Sequence, residues 1–474
     1  MDLGRQAKLA KNTLVLTIGK ISTQCVSFFL LPLYTALLNP MDYGVVELLS
    51  TYAALLLPLF NWQMEMGLFR YMLDARSNDS KLKKLISTIT NVNHIQVVIF
   101  LVLFFLIQFF IASPYKYFLA IQVVVNIYLN TLLQSARGFG KNDVYSFASF
   151  LSAFISIVLN IVFIAGFRMG ATGMLLGIII SNFITIIYLI FALKLWNYYS
   201  FMLFSKKDLK DVLHYSLPLI PNQLSWWVVG VSDRVIVSNL LSVAMNGIYS
   251  VANKFSTMYI SFYNIFNLAW TESCALHIND EDCDTFFSDV LSTMFSLFSA
   301  ICVGIVSCMP FVFPIVIANS YHEAYFQIPI LMMAVLCQSM VGLVSVVYTA
   351  KKLSKVLAKT SFIIAVINIV TDLFLIKFIG LYAASFSTLI SYGFMMIYRC
   401  IDVKKYINVK YPVGKMIRFI IVCAISIYSY YSNEIQLQII AFVVTVIYAV
   451  YENRSFVLSF FKVCIAKGKE LKLN

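Results

Sequence analysis

Charged residues are scarce in this chain. Of its 474 residues only 12% are charged, whereas 61% are hydrophobic and the mean hydropathy is +0.84. Soluble domains are about 25% charged and about 45–50% apolar. So few polar side chains cannot cover a water-exposed surface, and the composition therefore excludes an ordinary soluble protein and predicts a polytopic membrane protein.

Motifs for nucleotide, metal and disulfide chemistry are also missing. RGFGKND at 137–143 lacks the G-x-x-x-x-G-K-[ST] spacing of an ATP-binding loop, and no H-E-x-x-H pattern occurs. Cys274, His277 and Cys283 share one predicted cytoplasmic loop, but their spacing matches no common zinc pattern. Most of the nine cysteines fall within apolar runs, so no disulfide framework is expected. We expect no metal and no resident cofactor.

Long apolar runs are the dominant feature of the sequence. A helix needs about 20 mostly apolar residues to cross the bilayer, and runs of this kind predict an all-α fold with about fourteen transmembrane helices. The predicted spans are 12–38, 43–66, 88–112, 115–136, 143–166, 171–195, 213–241, 246–273, 286–309, 324–350, 356–379, 381–400, 413–432 and 435–456.

Lysine and arginine are distributed unevenly between the loops. If the N-terminus lies inside, only Lys116, Arg168 and Lys377 of the 35 basic residues fall in outward loops, and Arg234 and Lys254 fall inside spans. The positive-inside rule therefore predicts cytoplasmic N- and C-termini. The net charge of +13 follows from this bias and from contact with anionic lipids, so no nucleic-acid partner is expected.

Four motifs recur in the same order at offsets of 203 to 214 residues. The alignment places Gly44 over Gly247, Arg137 over Lys351, Asn160 over Asp372, and GATGMLLGIIIS (170–181) over GLYAASFSTLIS (380–391). An offset of six spans is even, so the two copies form a parallel repeat, as in several transporter folds.

The repeat predicts two six-helix lobes around a central cleft. We assign 1–203 to the N-terminal lobe, 204–212 to a basic amphipathic cytoplasmic linker, 213–400 to the C-terminal lobe, and 401–474 to the last two helices and a basic tail. Substrate sites in such folds lie at the repeat interface near the midplane of the membrane.

Two stretches resemble the bacterial polysaccharide-unit flippases, which belong to the superfamily that also holds the multidrug/oligosaccharide antiporters. They are KNTLVLTIGKISTQCVSFFLLPLYTALLNPMDYGVVELL (11–49) and SLPLIPNQLSWWVVGVSDRVIVSNLLSVAMNGIYSVANKF (216–255). The second has the family's proline, aspartate, Gly-x-Tyr and Ala-x-Lys, and span number and spacing extend the similarity over nearly the whole chain.

The resemblance implies a flippase of a bacterial inner membrane rather than an enzyme. It implies that an undecaprenyl-diphosphate-linked oligosaccharide is moved from the inner to the outer leaflet by alternating access, for O-antigen, capsule or a related surface glycan. It also implies association with a glycan polymerase and a chain-length regulator.

Two charges lie inside an apolar run in VSDRVIV at 231–237. A charge at the bilayer centre costs about 2.5–3.5 kcal/mol. Asp233 lies ten residues before Val243 and Lys254 lies eleven after it, so the two could pair at one depth. Arg234 is then left without a partner, and we expect it to bind the substrate pyrophosphate because guanidinium matches phosphate geometry.

Lys254 and Lys20 complete the predicted head-group site, although Lys20 could equally reach the inner headgroups or pair with Glu65. Asp372, alone in its span, is a candidate for proton or sodium coupling, together with Asp233 and Glu65. Aromatic and amide side chains of spans 7 and 8 are predicted to contact sugars, although each could instead pack between helices. The predicted sugar contacts are Asn222, Gln223, Trp226, Trp227, Tyr263, Asn264 and Trp270.

Two other functions compete with the flippase. A cation-coupled multidrug antiporter of the same fold would need net negative charge in its cleft, whereas the embedded charges here lean positive. A membrane glycosyltransferase or polymerase would need a sizeable outward loop with paired acids or arginines. The longest outward loop, about Pro310 to Glu323, offers only His322 and Glu323.

Overall fold

The computed structural model of the chain describes residue 28 and residues 30–351, 353–432 and 434–470. Side chains are described over the same ranges except at 268, 272, 275, 276, 354, 355 and beyond 454. Most of the predicted first span, including Lys20, lies outside the described residues.

The described chain is helical, without a strand in these ranges. Contacts divide the chain into two compact units, Met1–Ser250 and Val251–Asn474. The helices that begin in the first unit are α1 (Leu31–Leu37), α2 (Pro40–Asn61), α3 (Met64–Ala75), α4 (Asp79–Ile107), α5 (Lys116–Gly138), α6 (Asn142–Asn160), α7 (Gly170–Leu193), α8 (Lys206–Ser216), α9 (Leu219–Leu240) and α10 (Val243–His277). Those that begin in the second unit are α11 (Cys283–Val316), α12 (Glu323–Ala350), α13 (Ser354–Ile379), α14 (Tyr382–Asp402), α15 (Val413–Ser432) and α16 (Ile435–Glu470).

Helices occupy all thirteen predicted spans after the first, which confirms the all-α membrane fold. Within the described ranges, ten helices are long and apolar enough to cross a bilayer. Helices α9, α10 and α14 also cover predicted spans but are not among the ten. Helix α9, for example, carries Asn222, Gln223, Asp233 and Arg234, which lower its mean hydropathy.

Two helical segments lie where the sequence predicted a cytoplasmic loop. Helix α3 extends to Ala75, and α4 begins at Asp79 rather than at 88. The side chain of Asn78 caps α4 by accepting a hydrogen bond from the Lys81 amide, which explains why that helix starts so early. Hydropathy locates the part of a helix that lies in lipid and misses polar turns that continue beyond it.

The predicted basic linker 204–212 falls largely on α8, an amphipathic helix of eleven residues. Ser205 caps its start by accepting a hydrogen bond from the Asp208 amide at 3.2 Å. Val212 and Ser216 are buried against α3, whereas Lys206, Lys207 and Lys210 are exposed. The division of the chain into lobes at this linker stays a prediction.

Equivalent helices pack in the same way in both units, as the repeat requires. In the first unit α7 packs on α5 and α6, and in the second α14 packs on α12 and α13. Gly170 and Gly380, which the alignment superimposes, have left-handed φ angles of 57° and 56°, at the first residue of α7 and in the turn before α14. Asn160 and Asp372, another aligned pair, are 1% and 0% exposed.

The first aligned pair, Gly44 and Gly247, marks a close crossing of α2 with the start of α10. A Cβ at Gly44 would lie 1.9 Å from the Val243 carbonyl oxygen, and a Cβ at Gly247 would lie 2.0 Å from the Pro40 carbonyl oxygen. Each glycine therefore meets the residue four positions before the other. This reciprocal contact is what a local two-fold axis between repeated segments produces.

Substitution of Gly44 by alanine tests this crossing. The new Cβ would meet backbone that cannot rotate away, and overpacking of this kind costs about 1–3 kcal/mol. We expect a lower melting temperature for Gly44→Ala in detergent, followed by tryptophan fluorescence. Gly304→Ala on α11 is the control, because its Cβ would have no neighbour within 4 Å. Equal melting temperatures for the two variants would contradict the close crossing.

Candidate functional site

An ion pair joins α9 to α2 within the first unit. Arg234 donates a hydrogen bond from Nη1 to Oε2 of Glu47 at 2.9 Å, and the two side chains are 14% and 9% exposed. The expectation that Arg234 has no partner was wrong. Glu47 lies two turns inside α2 and Arg234 nearly two turns before the end of α9, so both reach the same depth.

Further hydrogen bonds hold α9 and α10 in place around this pair. Trp227, two turns before Arg234, donates from Nε1 to the Thr51 carbonyl oxygen at 3.0 Å. Thr51 lies one turn after Glu47, so the two contacts follow one face of each helix. Asn246 on α10 donates from Nδ2 to the Gly44 carbonyl oxygen at 2.9 Å. Asp233 is 4% exposed and accepts a hydrogen bond from the Tyr249 hydroxyl at 3.0 Å.

Polar side chains from α1, α2 and α6 are buried in the same unit. Asn160 donates from Nδ2 to the Tyr34 hydroxyl oxygen at 2.7 Å, and the Tyr34 and Tyr43 rings lie 6.3 Å apart. Tyr43 is 0% exposed and lies on α2 one turn before Glu47. Sequence reasoning missed Tyr34, Tyr43 and Glu47. The sequence did offer a signal for Glu47, because it is the single acid of the second predicted span that lies at the same depth as Arg234.

The predicted sugar contacts fall into two groups. Asn222, Gln223 and Trp226 on α9 and Asn264 on α10 are exposed, and Trp227 is half-buried. Tyr263 and Trp270 are each 4% exposed and pack against phenylalanine rings within the second unit. Tyr263 donates to Asn267 Oδ1 and Trp270 to the Leu343 carbonyl oxygen. This burial favours packing roles for Tyr263 and Trp270 over contact with a sugar.

Three other predicted residues lie on α10, α13 and α3. Lys254 is half-buried on α10, and its pairing with Asp233 stays a prediction. Asp372 is fully buried on α13, one turn after Asn368, which is also fully buried. Glu65 on α3 is 7% exposed and accepts a hydrogen bond from Asn61 Nδ2 at 2.6 Å.

The guanidinium of Arg234 has binding capacity beyond Glu47. Its Nε is buried and has no hydrogen-bond partner among the described residues. Arginine presents five donors in a planar fork, which can grip two oxygens of one phosphate. A phosphate that approaches this fork would compete with the Glu47 carboxylate for the same cation.

Comparisons with known proteins agree with this architecture. A family model described as "Polysaccharide biosynthesis protein" matches residues 9–271. Among solved structures, the lipid II flippase MurJ in an inward closed conformation matches with a TM-score of 0.70 and 15% identity, over 94% of this chain and 100% of that one. An inward-facing MATE-family multidrug resistance transporter of the MOP superfamily matches with a TM-score of 0.64 and 13% identity, over 81% and 95%. Curated protein sequences gave no match.

Removing one member of the buried ion pair should lower the free energy of unfolding of the protein. Glu47→Ala leaves Arg234 uncompensated, and losses of this kind cost about 3–5 kcal/mol. The double variant Glu47→Leu/Arg234→Met should recover much of this stability because no charge is left unpaired. Thermal unfolding in detergent measures both.

Asp74→Ala is the control, since the Arg70–Asp74 pair has a similar 2.8 Å separation but side chains that are 47% and 55% exposed. A Glu47→Ala protein as stable as the Asp74→Ala protein would show that the Arg234–Glu47 pair contributes nothing.

Proposed function

The chain belongs to the polysaccharide biosynthesis protein family, and on that premise we propose that it is a flippase for an undecaprenyl-diphosphate-linked oligosaccharide. It carries the repeat unit from the cytoplasmic to the periplasmic leaflet of a bacterial inner membrane, with both chain termini in the cytoplasm. The product serves surface polysaccharide synthesis of the O-antigen, lipopolysaccharide or capsule type. The family match over 9–271 and the fold similarity to MurJ support this assignment.

The observation that carries the proposal is the buried Arg234–Glu47 pair. An arginine inside a membrane protein is costly, and a single carboxylate neutralises it here. A diphosphate carries more negative charge and offers oxygens at the spacing of the guanidinium fork. It can therefore displace Glu47 from Arg234 on binding, and Glu47 can recover Arg234 when the lipid leaves.

The remaining groups extend this head-group site in the proposal. Lys254 and Lys20 add positive charge for the second phosphate. Asn222, Gln223, Trp226, Trp227 and Asn264 supply amide and aromatic contacts for the sugars. The polyprenyl tail stays in lipid while the two lobes alternate between inward and outward access.

The proposal assigns transport and no covalent chemistry to the chain. Asp372 and Asp233 are its candidate coupling groups for a proton or sodium gradient. A glycan polymerase and a chain-length regulator would receive the translocated unit at the outer leaflet. Anionic lipids contact the exposed lysines of α8.

A charge exchange between Glu47 and Arg234 separates transport from stability. The double variant Glu47→Arg/Arg234→Glu keeps an ion pair but moves the cation from α9 to α2. We expect it to reach the membrane at normal abundance and to lose transport, because the phosphate-binding fork no longer lies on α9. Arg234→Lys should retain partial transport, since it keeps the charge but loses the fork.

The measurement uses a strain lacking this chain, in which the lipid-linked unit is radiolabelled in its first sugar. An impermeant periplasmic probe then reports the leaflet that holds the unit. Accumulation inside, reversed by the wild-type chain but not by the exchanged variant, is the expected result. Normal outward display together with altered drug sensitivity would instead support the multidrug antiporter of the same fold.

A further inference from the structure

The chain breaks its helical path between α2 and α3 in an unusual way. Trp62 and Gln63 both adopt left-handed backbone angles, with φ of 52° and 54°. Neither is glycine, and bulky residues rarely occupy this region without a structural reason. Strained backbone of this kind clusters at functional sites. The break leaves the C-terminal end of α2, with its partial negative charge, inside the protein.

A buried polar layer surrounds this break. Asn61, the last residue of α2, is 0% exposed and donates from Nδ2 to Glu65 Oε2 at 2.6 Å. Gln96 on α4 is 1% exposed and donates from Nε2 to the Asn61 carbonyl oxygen at 3.1 Å. The two contacts bring a carboxylate, two side-chain amides and the end of α2 to one place.

Apolar residues enclose this layer on both sides. One buried cluster of the first unit includes Met64, Ile89 and Val92, and the other includes Ala53 and Val97. Along α4 the polar residue Gln96 falls between the two clusters, and along α2 and α3 Asn61 does. The layer therefore lies in a low-dielectric interior, where an unpaired polar atom is expensive.

Two oxygen atoms in this layer have no hydrogen-bond donor among the described residues, namely Asn61 Oδ1 and Gln96 Oε1. Their identity as oxygens follows from their partners. The amide nitrogen of Gln96 must face the Asn61 carbonyl oxygen, which only accepts, and that of Asn61 faces the Glu65 carboxylate, which only accepts while it is ionised. A buried acceptor left without a donor costs about 1–3 kcal/mol.

Glu65 adds a carboxylate that has no ion pair within the described residues. A proton on Glu65 would neutralise its charge, but it would supply one donor for at most one of the two unpaired oxygens. A cation bound between these groups would satisfy all of these oxygens at once. Carboxylate and carbonyl oxygens suit hard cations, and one carboxylate balances a single positive charge.

We propose that this layer is a binding site for a hard monovalent cation, Na⁺. Its ligands are the Glu65 carboxylate, Asn61 Oδ1 and Gln96 Oε1, at the C-terminal end of α2. Ends of broken helices coordinate Na⁺ in several transporters. The described residues contain no group of three or more His, Cys, Asp or Glu side chains, so the donor set is that of an alkali cation rather than of a transition metal.

Sodium binding at this site does not depend on the proposed function, whereas a role for the bound sodium in transport does. Helix α2 carries Glu47 fourteen residues before Asn61, about 21 Å along the same helix. A cation that orders the end of α2 could therefore bias the position of Glu47 and its hold on Arg234. That link rests on the proposed flippase, whereas binding can be measured without any transport assay.

Thermal unfolding of the full-length protein in detergent tests the site. Sodium chloride is titrated against choline chloride at constant ionic strength, and equilibrium binding of radioactive sodium is measured on the same samples. For the wild type we expect a sodium-specific rise in melting temperature of at least about 2 °C, because a ligand that binds only the folded state stabilises it. Glu65→Gln should abolish both the rise and the bound radioactivity.

Two further variants keep the result decisive. Gln96→Leu removes one ligand oxygen without touching Glu65, so it tests the site even if Glu65→Gln fails to fold. We expect it to weaken sodium affinity at least about tenfold. Asp402→Asn, on α14 in the second unit, is the matched control, because this buried carboxylate already accepts a hydrogen bond from the Tyr348 hydroxyl and pairs with Lys405, and it should keep the sodium response.

Three outcomes would overturn the assignment. A wild-type protein equally stable in sodium and choline would show that no site exists. A sodium response that persists in both Glu65→Gln and Gln96→Leu but disappears in Asp372→Asn would place the ion elsewhere. Equal, sodium-independent destabilisation by Glu65→Gln and Lys20→Ala would show that Lys20 neutralises Glu65 instead.

Discussion

Burial of charge in a membrane protein is the constraint on which this structure depends. Arg234 can lie inside the protein because Glu47 reaches it at 2.9 Å from α2. The contacts that hold α9 and α10 against α2, from Trp227 to Thr51 and from Asn246 to Gly44, keep the two charges in register. In the proposed transport cycle, an anionic lipid replaces Glu47 as the partner of this membrane-embedded cation.

The internal repeat supplies the frame for this pair. Gly44 and Gly247 are equivalent positions, and each makes room for the backbone four residues before the other. Small residues let helices approach closely where lipid provides no hydrophobic drive for association. Duplication of one helical segment can therefore generate a reciprocal crossing without a new sequence motif. The charges are not duplicated, which leaves Glu47 and Arg234 as a specialised asymmetric feature on a symmetric frame.

Much of the fold could be predicted because hydropathy is encoded locally and the repeat can be read from the sequence itself. The thirteen described spans and the Gly170–Gly380 correspondence needed only the sequence. The partner of Arg234 is harder to predict, because Glu47 lies 187 residues away and equal depth alone does not identify which spans are neighbours. The break at Trp62 and Gln63 contains neither glycine nor proline, and Pro58, four residues before it inside α2, does not mark its position. Tyr263 and Trp270 illustrate a further limit, since an aromatic residue that packs and one that binds sugar have the same sequence signature.

Transport of a diphosphate lipid by the purified chain tests the central claim most directly. The protein would be reconstituted into liposomes that carry a fluorescent, short-chain analogue of a diphosphate-linked oligosaccharide in both leaflets. An impermeant quencher removes only the outer-leaflet signal from protein-free vesicles. With this chain present, we predict that quenching continues until nearly all of the label is lost. Quenching that stops at the protein-free level, with folded protein in the vesicles, would contradict the flippase assignment.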